Sequence, residues 1–413
     1  MPLAVRVVLT AAAVSALGTG LVLPFTVVYL HRFLGISLPE AGLVVGAASL
    51  AGLLTGPMWG SLIDRWSPQR VLVIGALGQG AALVLFTMAG SMTTACLALA
   101  LLGATQSSAY PSQSSLFSVL TTGKTRSRVF GLSFTFANLG VCVGGLVSGV
   151  MVTHGGRDTF DLLYRLDAAT FVLLAAAVHF AVPRSPRAVP SSSGEDKGSY
   201  RAALALPVYR RIFVISFLLA FAGQGAFEFG MPTLVLSDSS IPISAVAYVF
   251  AVNTAVIVLV QPLVLRRIVE MRRVTVFRLV ALLWASAAAV FAVIGLVPGS
   301  YFAVGLLCVY GAVVALGEIL VAPHLGPLTN DVTPAHLRGR FNVALSISFS
   351  AAFVLSPVVS TFLLDAGLGW CYAVILAAGC GYVARGSRVL ISLAADRAAQ
   401  EQTIEENRGV THA

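Results

Sequence analysis

The positive charge of this chain is sorted along its length. Once the long apolar runs are marked, 23 of the 26 Lys and Arg residues fall in every second gap between them, and Arg32, Arg157 and Arg165 fall in the other gaps. Apolar segments of about 20 residues cross the roughly 30 Å hydrocarbon core as helices. Cationic side chains are kept on the cytoplasmic face. Together the two patterns predict an all-α, polytopic membrane protein with twelve transmembrane helices over 7–30, 39–59, 71–91, 94–117, 129–153, 164–183, 210–236, 242–264, 275–297, 300–322, 341–363 and 370–391. An even number puts both termini on the cytoplasmic side, and dropping any one span scrambles the charge partition.

The charge pattern also decides what the basic balance means. The net charge of +9 would suggest nucleic acid in a soluble protein. Here only 10% of residues are charged, against about 25% in soluble domains, and the basic ones sit in short loops. Orientation in a bilayer explains them, and nucleic acid is not a predicted partner. The five cysteines lie inside or at the ends of apolar runs without a CxxC pair, so they read as core or lipid-facing residues. Arg6 followed by an apolar stretch and Val14-Ser15-Ala16 imitates a signal peptide. The run continues to Leu30, however, and cleavage would delete a helix that the charge alternation needs, so it is read as an uncleaved first span.

The longest polar interruption, Pro183 to Pro207, is rich in Pro, Ser, Gly and charge. It divides the chain into a six-helix bundle over 1–183, a cytoplasmic central linker over 184–209, a second six-helix bundle over 210–391 and a polar, mobile cytoplasmic tail over 392–413. The halves echo one another: a shift of 212 residues carries Pro111 onto Pro323, Arg126 onto Arg338 and Arg128 onto Arg340. Duplicated parallel halves about an axis normal to the membrane are a transporter architecture with its site at the midplane between them.

The gap after the second span reads Gly60-Ser61-Leu62-Ile63-Asp64-Arg65-Trp66-Ser67-Pro68-Gln69-Arg70. It resembles the signature G-x-L-a-D-r-x-g-r-k between the second and third helices of the major facilitator superfamily, with Gly60, Leu62, Asp64, Arg65 and Arg70 matching. The resemblance covers about residues 5 to 392 and implies the major facilitator fold, two pseudo-symmetric six-helix bundles. It also implies that Gly60, Asp64, Arg65 and Arg70 belong to a cytoplasmic gate that latches the halves when the protein opens outward. The fifth span carries Gly140, Gly144, Gly145 and Gly149, similar to the antiporter motif of that superfamily's drug:proton exporters, with Gly145 in place of the motif's Pro. Small residues so spaced also build plain helix contacts. In the fourth span, Gly103 occupies the place where such exporters often hold an Arg three residues before a Gln, here Gln106.

Ionisable residues inside a span cost about 2.5–3.5 kcal/mol each and are functional candidates by default. Glu228 and Glu318 stand far from any loop charge. Because oil penalises the charged form of a carboxyl, the two are candidates for carrying a proton or attracting a cationic substrate; the alternative is a permanently protonated acid in one structural hydrogen bond. Tyr29, Gln106, Tyr110, Asn138, Gln224, Phe227, Asn253, Trp284 and Tyr310 are cavity candidates, as polar liners or aromatic faces for a cation, with helix bridging or core packing as the plainer reading. Asp167 is expected to pair with Arg165 near the outer surface.

The resulting expectation is a secondary active transporter working by alternating access. It exports a lipophilic, cationic or neutral small molecule in exchange for protons, in a manner of multidrug efflux, from a bacterial cytoplasmic (inner) membrane. Its partners are substrate, protons and the bilayer; no cofactor, metal or protein partner is called for, and a monomer suffices. The runner-up is a proton-coupled importer or facilitator of a small organic metabolite. A membrane enzyme is disfavoured because there is no DDxxD, HExxH or phosphate-binding loop. A non-transporting receptor on the same fold is the remaining alternative.

Overall fold

The structure, a computed structural model, describes residues 1–152, 155–182, 207–238, 240–294, 296–297, 301–331 and 338–410. His154 and nearly all of the 184–209 linker lie outside these residues.

Twelve helical rods follow one another among the described residues. They are α1 (Leu3–Leu34), α2 (Leu38–Arg65), α3 (Pro68–Thr87), α4 (92–120), α5 (Gly123–Val152), α6 (Arg157–Ala181), α7 (207–237), α8 (Ser244–Glu270), α9 (Arg273–Ile294), α10 (Tyr301–Asp331), α11 (Arg338–Asp365) and α12 (Gly369–Val410). Ten are long and apolar enough to cross a bilayer unaided. The other two are α4, which is divided, and α12, whose last third is polar. Serines set several starts: Ser37 caps α2 through a reciprocal exchange with Glu40, while Ser67 and Ser91 cap α3 and α4. Gly35, at φ +65°, ends α1 in the left-handed conformation that glycine adopts without steric cost.

Three rods depart from a plain α-helix. In α1 the segment Leu23–Phe25, with Pro24 at its centre, tightens to a 3₁₀ turn. α4 is interrupted at Ser107-Ser108, where Ser107 and Ser108 return their hydroxyls to the carbonyls of Ala104 and Thr105. The single span expected over 94–117 is therefore two shorter pieces, held at the break by α2. Trp59 Nε1 and Thr55 Oγ1 both donate to the Ala104 carbonyl, at 2.6 and 3.0 Å. In α7 the ten residues Phe221–Gly230 form a π-helix, a widening that is common at functional sites.

Two boundaries also differ from the sequence reading. α6 begins at Arg157, seven residues before the expected 164, because Arg157 and Asp161 pair along its first turn at 3.8 Å. α12 does not stop at 391 but stays helical to Val410, since Ala, Gln, Glu and Arg fill the expected tail and all favour helix.

The rods assemble as two bundles with one packing scheme. In the first, α1 packs on α5 and α6, α2 on α4, and α3 on α4 and α6; in the second, α7 packs on α11 and α12, α8 on α10, and α9 on α10 and α12. Every pair recurs six helices later, which gives the 212-residue echo its structural meaning. Across the seam α2 meets α11 and α5 meets α8, again equivalent pairs.

The seam is tight at one end only. Away from the basic loops, Gly42 and Gly46 of α2 press on the backbone of α11 at Pro357 and Val354, and Gly149 of α5 sits on Ala247 of α8. Small residues there let backbones approach and gain dispersion energy that lipid tails do not already supply. Toward the basic end, Gly56, Gly60 and Gly131 on the same helices have nothing within 4 Å of where a Cβ would stand. The two bundles therefore touch at the far end and part toward the side carrying Arg6, Arg65, Arg70 and Arg128.

Candidate functional site

The parting of the bundles leaves a cavity of about 420 Å³ at the seam, within the range of drug-sized ligand sites. Its lining is uneven. α7 to α11 contribute most of it; the first half adds only Leu23, Phe134, Asn138 and Val141. Phe227, Phe250, Phe349 and Trp284 give aromatic faces, and Gln224, Gln261, Asn253 and Thr254 give polar groups. Among the described residues, no Lys, Arg or His lines the cavity.

Glu228 and Glu318 both line this cavity. Glu228 comes from the π-helical part of α7. Glu318 comes from α10, where Asn253 of α8 reaches it: Asn253 Nδ2 donates to Glu318 Oε2 at 3.3 Å and to the Gly311 carbonyl at 3.2 Å. One amide thus fixes the spacing of α8 and α10 and orients the acid.

Trp284 of α9 is wedged into place by two glycines. A Cβ on Gly223 of α7 or on Gly317 of α10 would collide with the indole; for Gly317 the Trp284 Cδ1 atom would lie only 2.7 Å away. The ring is then locked by Nε1 donating to the Val314 carbonyl at 3.1 Å. Because Gly317 precedes Glu318 directly, the same glycine that admits the indole places the acid beside it. The two carboxyls thus share a cavity with aromatic rings and amides.

The structure brings Asn138, Gln224, Phe227, Asn253 and Trp284 together with the two acids. It places four other candidates elsewhere. Tyr29 is fully buried inside the first bundle, with its hydroxyl donating to Asp161 at 2.5 Å among Phe33, Phe86, Phe160 and Tyr164. Gln106 and Tyr110 are exposed, Tyr110 at 77%. Neither lines the cavity; α4 packs on α3 through Thr105 and Ser108, which abut Gly78 and Gly75, and on α2 through Gly103, which abuts Ala48. Tyr310 is buried behind Phe227, ring centroids 6.4 Å apart, rather than in the cavity wall. Gly103 leaves no space for the Arg of the exporters, since any Cβ would run into the Ala48 carbonyl.

The motif glycines of α5 are contact residues. Gly140 meets α1 at Ala13 and Ala16, Gly144 meets it at Leu17 and Leu21, and Gly149 meets α8. Gly145 lies between Gly20 of α1 and Phe250 of α8. Of the gate motif, Gly60 faces open space and Arg65 and Arg70 are exposed; the Asp64 side chain lies outside the described residues. Asp167 does not pair with Arg165. It is 2% exposed, faces Gly18 of α1 and receives the Thr170 hydroxyl at 3.3 Å. Sequence reasoning missed it because α6 starts seven residues early, which sets this acid about 15 Å inside the helix.

Two equivalent bundles, a seam open at one end and a cavity at the seam define a membrane transporter of the two-domain type. The chain belongs to the Major Facilitator Superfamily, whose sequence profile matches residues 8–317. It is 24% identical to the uncharacterised MFS-type transporter YdeE of Escherichia coli over 84% of this chain and 85% of that protein. It is 26% identical to Multidrug resistance protein 1 of Bacillus subtilis over 54% and 56% of the two chains, and 23% identical to a Na(+), Li(+), K(+)/H(+) antiporter of Planococcus maritimus over 86% and 88%. Among solved structures, a bacterial homologue of the lysosomal transporter Spinster in an inward-facing, unoccupied conformation shares the fold, with a TM-score of 0.73 at 14% identity over 94% of this chain and 97% of that one.

Proposed function

We propose that this protein exports lipophilic small molecules, cationic ones among them, in exchange for protons across a bacterial cytoplasmic membrane. The observation that carries the reading is the pairing of Glu228 and Glu318 in one aromatic-walled cavity with no basic residue among its described lining. With the basic loops in the cytoplasm, the cavity opens inward. In this state a carboxyl releases its proton to the cytoplasm and its negative charge becomes the counter-ion for an entering cation. The seam then closes at Gly56, Gly60 and Gly131 and opens at Gly42, Gly46 and Gly149. On the outer side a proton returns to the acid, neutralises it and frees the substrate. A relative named as a multidrug resistance protein supports a drug-type substrate, and one named as a cation/H(+) antiporter supports exchange.

The test is dye flux in energised inverted vesicles with and without an uncoupler. Uptake of a lipophilic cation that collapses on uncoupling supports the proposal. Uptake that ignores the uncoupler removes proton coupling, and flux in the opposite direction favours an importer of a small organic metabolite.

A further inference from the structure

At the basic end of the first bundle, away from the seam, α3 and α6 part. Deeper in the membrane they are close: a Cβ on Gly80 of α3 would stand 3.1 Å from the Ala168 carbonyl oxygen of α6. Toward the basic end a pocket of about 350 Å³ opens between them, lined by Gln69, Arg70, Val73 and Ile74 of α3 and by His179 and Val182 of α6. Among the described residues, none from the second half lines it, so it is separate from the cavity that holds Glu228 and Glu318.

Gln69 is buried, and its Nε2 donates to the Val182 carbonyl at 2.9 Å and to the Val178 carbonyl at 3.3 Å. The amide closes the end of α6, where helical donors run out, and ties α3 to α6 beside the pocket. Arg70 and His179 are exposed, one on each helix. Among the described residues neither the Arg70 guanidinium nor the His179 ring has a hydrogen-bond or ion-pair partner, and no Asp or Glu lines the pocket. Ile74 lies one turn deeper, about 6 Å along α3 from Arg70. Beyond it Leu77 of α3 and Val172 of α6 are exposed; they stand seven residues from Arg70 and His179, on the same helix faces. Exposed apolar residues within a span meet lipid. The pocket is therefore cationic at the membrane surface and continues into an apolar, lipid-facing groove.

We propose that this pocket binds the phosphodiester headgroup of an anionic phospholipid from the leaflet at the basic end. The Arg70 guanidinium pairs with the phosphate oxygens, His179 adds an N–H from the other helix, and the acyl chains run along Leu77 and Val172. Basic pockets between membrane helices suit such headgroups. Charge makes the selection: the pocket offers no acid to receive the ammonium of a zwitterionic lipid, so its unmatched positive charge favours a lipid that is negative overall. The bound lipid bridges α3 and α6 from the membrane side, as Gln69 does from within the bundle. The assignment stands or falls independently of the exchange reading.

The test is native mass spectrometry of the full chain in detergent, titrated with dioleoylphosphatidylglycerol, dioleoylphosphatidylcholine or inorganic phosphate. Saturable binding of phosphatidylglycerol is expected, tighter than that of either alternative. Arg70→Ala and His179→Ala should each weaken it about tenfold or more, as removal of a hydrogen bond to a charged group does. Arg388→Ala, which removes an exposed cation at the basic end of α12, should leave it within about twofold. Should one alanine variant melt below wild type in lipid-free detergent, the other, on the opposite helix, decides. Equal weakening in all three variants reduces the binding to diffuse attraction and overturns the site. Phosphatidylcholine bound as tightly as phosphatidylglycerol overturns the selection by charge, and inorganic phosphate bound as tightly makes this a free-anion site and overturns the lipid assignment. Wild type without saturable phosphatidylglycerol binding overturns the proposal outright.

Discussion

The tight end of the seam is held by glycines pressed against the facing helix with no space for a side chain, so enlarging one glycine there should tilt the conformational balance. At Gly42 a Cβ would collide with Thr361 Oγ1 and lie 2.6 Å from the Pro357 carbonyl oxygen and 3.0 Å from Thr361 Cβ. The hydroxyl can rotate aside, but the carbonyl is backbone and cannot. Overpacking of this kind costs about 1–3 kcal/mol, and because the contact exists only with the far end closed, the cost falls on this state alone. Gly42→Val should therefore shift the ratio of the two states by roughly 5- to 150-fold toward the one closed at the basic end. The register Gly149 opposite Ala247 and Gly145 opposite Phe250 puts Gly131 opposite residue 264. Spin labels at Gly131 and at Leu263, which is 80% exposed, would then report the basic-end mouth. In Gly42→Val the short-distance population should grow. Gly56→Val on the same helix has open space around it here, so it should lengthen the distances by blocking the reverse closure. An unchanged distance distribution in Gly42→Val, with the protein folded, would refute the argument that these glycines set the balance.

Other substitutions separate function from packing. Glu318→Gln and Glu228→Gln keep shape and remove the titrating group; each should cut proton-driven export more than tenfold while counterflow of a neutral lipophile persists, measured in the same vesicles. Gly103→Arg, which restores the exporters' residue, should lower folded yield and melting temperature instead of raising activity, because the Cβ meets the Ala48 carbonyl. Tyr29→Phe loses a hydrogen bond to the Asp161 carboxyl and should cost about 1.5–3 kcal/mol of stability. Calorimetry should show that loss with substrate affinity unchanged, since Tyr29 does not line the cavity.

The twelve rods and their pairing into halves were legible because a bilayer imposes two one-dimensional rules: the length of an apolar run and the side on which charge stays. Those rules act on each segment separately, and a sequence records them directly. Glu228 and Glu318 were legible for the same reason, since an acid in an apolar run is conspicuous whatever surrounds it. Helix facing was not legible. Tyr29, Gln106, Tyr110 and Tyr310 had the right chemistry and depth, but rotation about the helix axis is set by which neighbour a glycine admits, and that neighbour is remote in sequence. Asp167 was misplaced for want of an accurate helix start.

By itself, then, the sequence determined that this chain is an all-helical, polytopic membrane protein and a duplicated transporter. Only the tertiary structure decided that the cavity belongs mostly to the second half, that the motif glycines are contact surfaces and that the seam is open at the basic end. These depend on close approach between helices far apart in the chain, where a gap of one methyl group separates contact from collision, and no pattern along a single strand of sequence encodes that distance.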